Sequence, residues 1–139
     1  MKNTLLINQY VRKFLLDDKA VNSKVYDRVF PLDALQGTSL PFIVLTRQST
    51  TFDDSKDGYY QETVPVQVTI VAKSYNEAVE LANDTRKALE HIEYSSAHDE
   101  NQHEGADDIY ISDSKLVSCY ESLYNNAYIQ QLDFNFEVQ

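Results

Sequence analysis

A single cysteine, Cys119, stands in the chain, so neither an intramolecular disulfide nor a thiolate metal cluster can form. In the extended stretch around it, Cys119 reads as a small buried hydrophobe. Glycine is almost as scarce. Gly37, Gly58 and Gly105 are too far apart to write G-x-G-x-x-G or G-x-x-x-x-G-K, and no G-x-S-x-G elbow exists. Phosphate-cradling loops and nucleophile elbows are thereby excluded, and with them the common enzyme signatures. Basic residues are also few: 12 Lys and Arg against 22 Asp and Glu leave a formal net charge of -10. Nonspecific nucleic-acid binding would push this surface against phosphate repulsion, so groove-binding and backbone-tracking roles are excluded. No apolar run approaches the roughly 20 residues of a membrane span. Met1 leads through Lys2-Asn3-Thr4 into an amphipathic segment without signal-peptide features, so the chain is expected to be cytosolic when made and to have no membrane partner.

What is present suffices for a core. Hydrophobic residues make up 42% of the 139 positions and aromatics 12%, within the size of one domain, expected here over residues 1–139. Leu6, Tyr10, Val11, Phe14 and Leu15 recur at helical spacing and predict a first helix over about Leu5–Leu16. Val25 to Phe30 reads as a short extended piece stopped by Pro31, and Pro31 to Leu40 as a loop. Phe42 to Thr51 predicts a strand with Phe42, Val44 and Thr46 on one side. A polar turn with Asp53, Asp54, Asp57 and Gly58 follows. Val64, Val66, Val68, Ile70 and Ala72 then alternate with polar residues over a second strand, which forms a hairpin with the first. Pro65 lacks a donor and predicts an edge or bulge at that end. Ser74 and Glu77 have capping-box spacing and open a second helix, whose stripe of Ala78, Leu81, Ala82, Thr85, Leu89 and Ile92 ends near Ile92. Glu93 to Asp108 holds six acidic residues and no Lys or Arg, which reads as a flexible solvated loop. Leu116–Tyr124 and Ala127–Val138 predict two strands around an Asn125-Asn126 turn. The fold class is therefore α+β: two main helices packed on one face of a mostly antiparallel sheet, in a single domain.

Residue clusters that could carry chemistry are weak. Asp53 to Gly58 matches the opening of a calcium loop, but the twelfth position is Val64 and the flanks read as strands, so an ordinary polar hairpin turn is expected. His91, His98 and His103 lie among Asp99, Glu100 and Glu104 with loose spacing in a solvated setting; no native metal, cofactor or catalytic residue is expected. Asn83-Asp84-Thr85 fits a glycosylation acceptor inside a helix, a chance match. The ten tyrosines are more distinctive. Tyr59-Tyr60 beside the acidic turn, and Tyr120, Tyr124 and Tyr128 near the last hairpin, could anchor a protein interface. Asp53, Asp54, Asp57, Tyr59 and Tyr60 form the candidate interface or lumen set.

Three stretches resemble the tail-terminator, or tail-completion, family of long-tailed bacteriophages. The first is Arg28-Val29-Phe30-Pro31 with Gly37 and Leu40-Pro41-Phe42-Ile43-Val44. The second is Val66-Gln67-Val68 through Tyr75, continuing with Glu77-Ala78, Leu81-Ala82, Arg86 and Ala88-Leu89; the third is the aromatic strand Tyr128 to Val138. The resemblance implies a non-enzymatic subunit that assembles as a homo-oligomeric ring, commonly a hexamer, on the last ring of tail-tube protein. Such a ring stops tube polymerisation and presents a surface to the head-connector protein, with DNA passing through but not specifically bound. It places the chain in the virion, at the tail or neck, after assembly in the host cytoplasm. Two other readings are open: a head-completion or connector protein of the neck, and a small oligomeric ligand-binding α+β domain.

Overall fold

The computed structural model describes residues 4–54, 60–92 and 109–138. After a single 3-10 turn at Thr4–Leu6, helix α1 spans Ile7–Asp17 and buries Ile7, Val11 and Leu15. Asp18 adopts an extended conformation that ends α1, and its carboxylate accepts from Val21 N at 3.1 Å. This cap starts a second helix, α2, over Lys19–Val25, which buries Val21 and Val25. The sequence pattern assigns no element to Lys19–Lys24. Seven residues are too few to show a helical period, and Val25, expected to be extended, is the last residue of α2.

The sheet is ordered β1-β2-β4-β6-β5, with β3 alongside β4 off this path. Strand β1, Val29–Pro31, runs parallel to β2, Phe42–Arg47. Ile43 N donates to Arg28 O and Leu32 N to Leu45 O, both at 2.9 Å, so alternation turns the backbone N and O atoms of Val29 and Pro31 away from β2. Pro31 therefore sits inside β1 rather than stopping it, because the donor it lacks would face away from the sheet. The core side of β2 is formed by Ile43 and Leu45, and Phe42, Val44 and Thr46 share the opposite face as expected.

Strand β4, Tyr60–Ala72, is central: β2 and β3 (Thr51–Asp54) lie antiparallel along one side and β6 (Ala127–Val138) along the other. Asp53 and Asp54, expected in a turn, are thus strand residues, paired with Gln61 and Tyr60. Pro65 is not at a sheet edge. Its carbonyl accepts from Gln48 N at 2.8 Å, in the gap between the β2 and β3 ladders, so its missing N–H faces the one place on that side where no strand partner runs.

Ser74 Oγ accepts from Glu77 N at 3.2 Å and caps helix α3, Tyr75–Glu90, whose buried stripe contains Ala78, Leu81, Ala82, Thr85 and Leu89 as predicted, with Ile92 buried just beyond. The predicted acidic loop at 93–108 lies outside the described residues. Strand β5 spans Ile111–Tyr124, starting five residues before the predicted Leu116, and joins β6 through Asn125 and Asn126, both at positive φ (49° and 64°) as a two-residue hairpin turn requires. The helices cover one face only. Ile7, Val11, Leu15, Leu81 and Leu89 meet Val64 to Ile70 and Leu132 to Val138 in one cluster, with Phe134 and Phe136 stacked at 5.8 Å. The α+β class with helices on one face of a mostly antiparallel sheet therefore holds, with three helices instead of two.

Candidate interaction surfaces

Burial ends before β5 does. Its first half alternates, with Ile111 buried and Ser114 Oγ donating to Leu89 O of α3 at 2.9 Å, and a bulge then falls between Leu116 and Ser118. From Val117 to Tyr124 every residue is exposed, and β6 is its sole strand partner among the described residues. Val117, Tyr120, Leu123 and Tyr124 are 53–69% exposed. Cys119, expected to be buried, is exposed here, because β5 is an edge strand that has run past the helix layer. Edge strands are commonly blunted by lysine or proline. Beyond Lys115 and the bulge this one has neither.

The hairpin is fixed to α3 by a small polar clamp. Glu121 accepts from Tyr75 Oη and from Gln130 Nε2, both at 2.9 Å, and the Tyr75 ring meets Tyr128 edge to face at 6.2 Å. The hydrogen bonds from Gln130 and Tyr75 hold the Glu121 carboxyl below the usual glutamate value, and the hydrogen bond to Glu121 holds Tyr75 above the usual tyrosine value. These residues line an open depression together with Ser122, Leu123 and Ile129. Tyr128, one of the tyrosines singled out in the sequence, is half-buried in this contact; Tyr120 and Tyr124 are free-standing on the surface.

At the opposite edge of the sheet a second apolar group is exposed. Tyr26 and Leu32 bracket β1, and Leu35 follows in the loop; they are 62%, 74% and 77% exposed. Tyr26 (φ 58°, ψ -104°) and Leu32 (φ 66°) both have positive φ, a region that side-chain-bearing residues rarely adopt. The Arg28 guanidinium lies 5.2 Å from the Tyr26 ring centre and donates to Pro41 O at 2.9 Å. The β1 edge is closed to a further strand: Arg12 Nε donates to Val29 O at 2.7 Å, and Val29 N donates to Asp27 O at 2.9 Å. Sequence reasoning passed over Leu32 and Leu35 because they fall in an aperiodic stretch. Their signal was two leucines in a segment bounded by Pro31 and Gly37, where polar residues are the norm.

Of the predicted interface set, the structure brings Asp54 and Tyr60 opposite one another at the end of the β3–β4 ladder, with Asp53 next to them. Asp57 and Tyr59 lie outside the described residues, as do His98, His103, Asp99, Glu100 and Glu104. His91 caps α3 and lines a shallow cavity with Asp18, Asp84 and Lys87. Among the described residues no three His, Cys, Asp or Glu side chains converge as metal ligands would, and no helix is long and apolar enough to cross a membrane.

A small α+β fold with exposed apolar groups at both edges of its sheet offers surfaces of the kind that proteins use for contacts with one another. Tail completion protein gp17 is the family whose pattern matches the chain, over residues 9–119. The chain belongs to that family, and is thus a structural protein of the phage tail and a component of the virion. Its fold is similar to that of a chain in the structure described as "Virion of native gene transfer agent (GTA) particle", with a TM-score of 0.67 and 11% identity over 95% of this chain and 93% of that one. No curated protein matches the chain by sequence.

Proposed function

We propose that this tail protein forms a closed ring on the end of the tail tube, stops tube polymerisation there, and joins the tail to the head. The observation that carries the reading is membership of the tail completion family over residues 9–119, on a subunit with exposed apolar groups at opposite sheet edges. A closed ring needs two different complementary surfaces on each subunit, because its contacts run head to tail. Tail-tube protein and head-connector protein are the partners on the ring's two flat sides, and the work is done by binding, without catalysis. The resemblance implies six subunits.

A chain at -10 also suits the wall of a pore through which DNA slides, since like charge removes the gain from counterion release. The acidic segment Asp53–Asp57 and the acidic stretch Glu93–Asp108 are proposed to face the lumen or a ring surface, with Tyr59 and Tyr60 close to the first in sequence. Replacing the acids in both segments by their amides is expected to slow DNA passage or weaken the ring; unchanged assembly and passage would remove this assignment. Terminator action itself is tested by adding the purified chain to polymerising tail-tube protein and measuring tube lengths by electron microscopy. Shorter tubes with a cap at one end are expected. Tubes of unchanged length with bare ends would refute terminator action.

A further inference from the structure

The outer half of β5 combines a free backbone edge with a carboxylate that lacks a cation. Asn125 and Asn126 make a two-residue turn, so Tyr124 and Ala127 close the hairpin as a hydrogen-bonded pair. Pairs alternate from there. Ser122, Tyr120 and Ser118 bond to β6, and the N–H and C=O groups of Leu123, Glu121 and Cys119 point away from it. No described strand lies on that side, and the stretch 117–124 holds neither lysine nor proline to blunt it. Cys119 stands opposite Leu132, so Cys119, Glu121 and Leu123 also share the face on which the helices lie. Glu121 is the single charge of the stretch. Tyr75 Oη and Gln130 Nε2, both neutral donors, bond to its Oε2 and fix the carboxylate in place. Among the described residues its Oε1 accepts no bond, and the group forms no salt bridge. Tyr75, Tyr128, Leu123 and Gln130 line an open depression with it. A guanidinium suits these groups, because it is planar, donates to a carboxylate and stacks on a tyrosine ring.

We propose that this edge receives an extended segment of a different protein, which adds as a strand along Cys119–Leu123 and sets an arginine opposite Glu121, beside Tyr75 and Tyr128. The positions two residues to either side of that arginine stand opposite Cys119 and Leu123 on the same face, and carry apolar side chains. Backbone hydrogen bonds supply the register, and the free carboxylate oxygen selects the cation. The arginine comes from another protein because the four in this chain each donate within it: Arg12 to Val29 O, Arg28 to Pro41 O, Arg47 to Thr50 Oγ1 and Arg86 to the Glu90 carboxylate. Pairing of β5 with β5 around Glu121 would set two carboxylates against each other. The site does not depend on ring formation.

The test titrates the full-length chain into a dye-labelled peptide, Val-Thr-Arg-Thr-Val, and follows fluorescence anisotropy. Three altered peptides are compared: citrulline for arginine, which keeps the shape without the charge; lysine for arginine; and N-methylation at both valines and the arginine, whose N–H groups would face β5. Glu121→Gln is compared on the protein side. That position is exposed and glutamine keeps an acceptor for Tyr75, so folding is preserved and is checked by circular dichroism. Saturable binding of the arginine peptide is expected, roughly tenfold weaker with citrulline or with Glu121→Gln, as loss of one charge-assisted hydrogen bond implies. N-methylation should abolish it. No saturable binding, or binding that neither citrulline nor Glu121→Gln weakens, would overturn the site. Binding that survives N-methylation would overturn strand addition, and a lysine peptide bound as tightly would overturn the choice of arginine. A fall in the chain's own oligomeric mass on Glu121→Gln, read by light scattering, would assign the edge to a second copy and overturn the different-protein partner.

Discussion

Phe136 is fully buried, and its ring lies nearly parallel to that of Phe134 beneath the helices. Phe136→Ala leaves a cavity that the surrounding strands cannot close, so a loss of about 3–5 kcal/mol is expected from denaturant unfolding. The Tyr75–Glu121–Gln130 clamp acts on the surface and has a pH signature instead. Glu121 is lowered in the folded chain, so its contribution is present above the usual value of 4.5 and is lost as pH falls through the folded value. Tyr75 is raised, so its contribution is present below 10.0 and is lost as pH rises through its folded value. The hairpin is expected to stay docked on α3 between these limits and to loosen beyond each. A Tyr75 ring resonance followed by NMR across pH checks this; a signal unchanged on acidification would contradict the Glu121 contact.

At the scale of elements, the β5–β6 hairpin depends on Asn125 and Asn126, which tolerate positive φ where β-branched residues do not. Asn126→Val is expected to cost roughly 1–2 kcal/mol, read as a lower melting temperature, whereas Asn126→Gly should leave stability near wild type. This turn was legible in the sequence because two asparagines sit between alternating strands, and α3 was legible because Ser74, Glu77 and a long apolar stripe agree. What escaped had physical causes. Helix α2 is too short for periodicity and was marked only by its Asp18 cap. Strand β3 carries Asp53 and Asp54, which favour turns by propensity but are held in a strand by the β4 ladder. The early part of β5, Ile111 to Lys115, is mostly polar and owes its extended form to pairing with β6, where Asp113 even stands opposite Glu137.

For the whole molecule, hydrophobic patterning sufficed for the α+β class and its single helix layer, since Leu132, Phe134, Phe136 and Val138 all face one way. The candidate surfaces were less legible. Exposure at Leu123 or Leu32 depends on where the helix layer stops, which no local pattern encodes, and only the tyrosine count hinted at β5. Ring formation follows from none of these patterns singly; it is inferred from the family together with two unlike edges on one sheet. The most direct test is the absolute mass of the purified chain over a concentration series by light scattering, alone and with tail tubes, with negative-stain imaging of the largest species. A closed ring of six subunits around a central hole, seated on tube ends when tubes are present, is the expected result. A monomer at every concentration, with tube ends left bare, would contradict it.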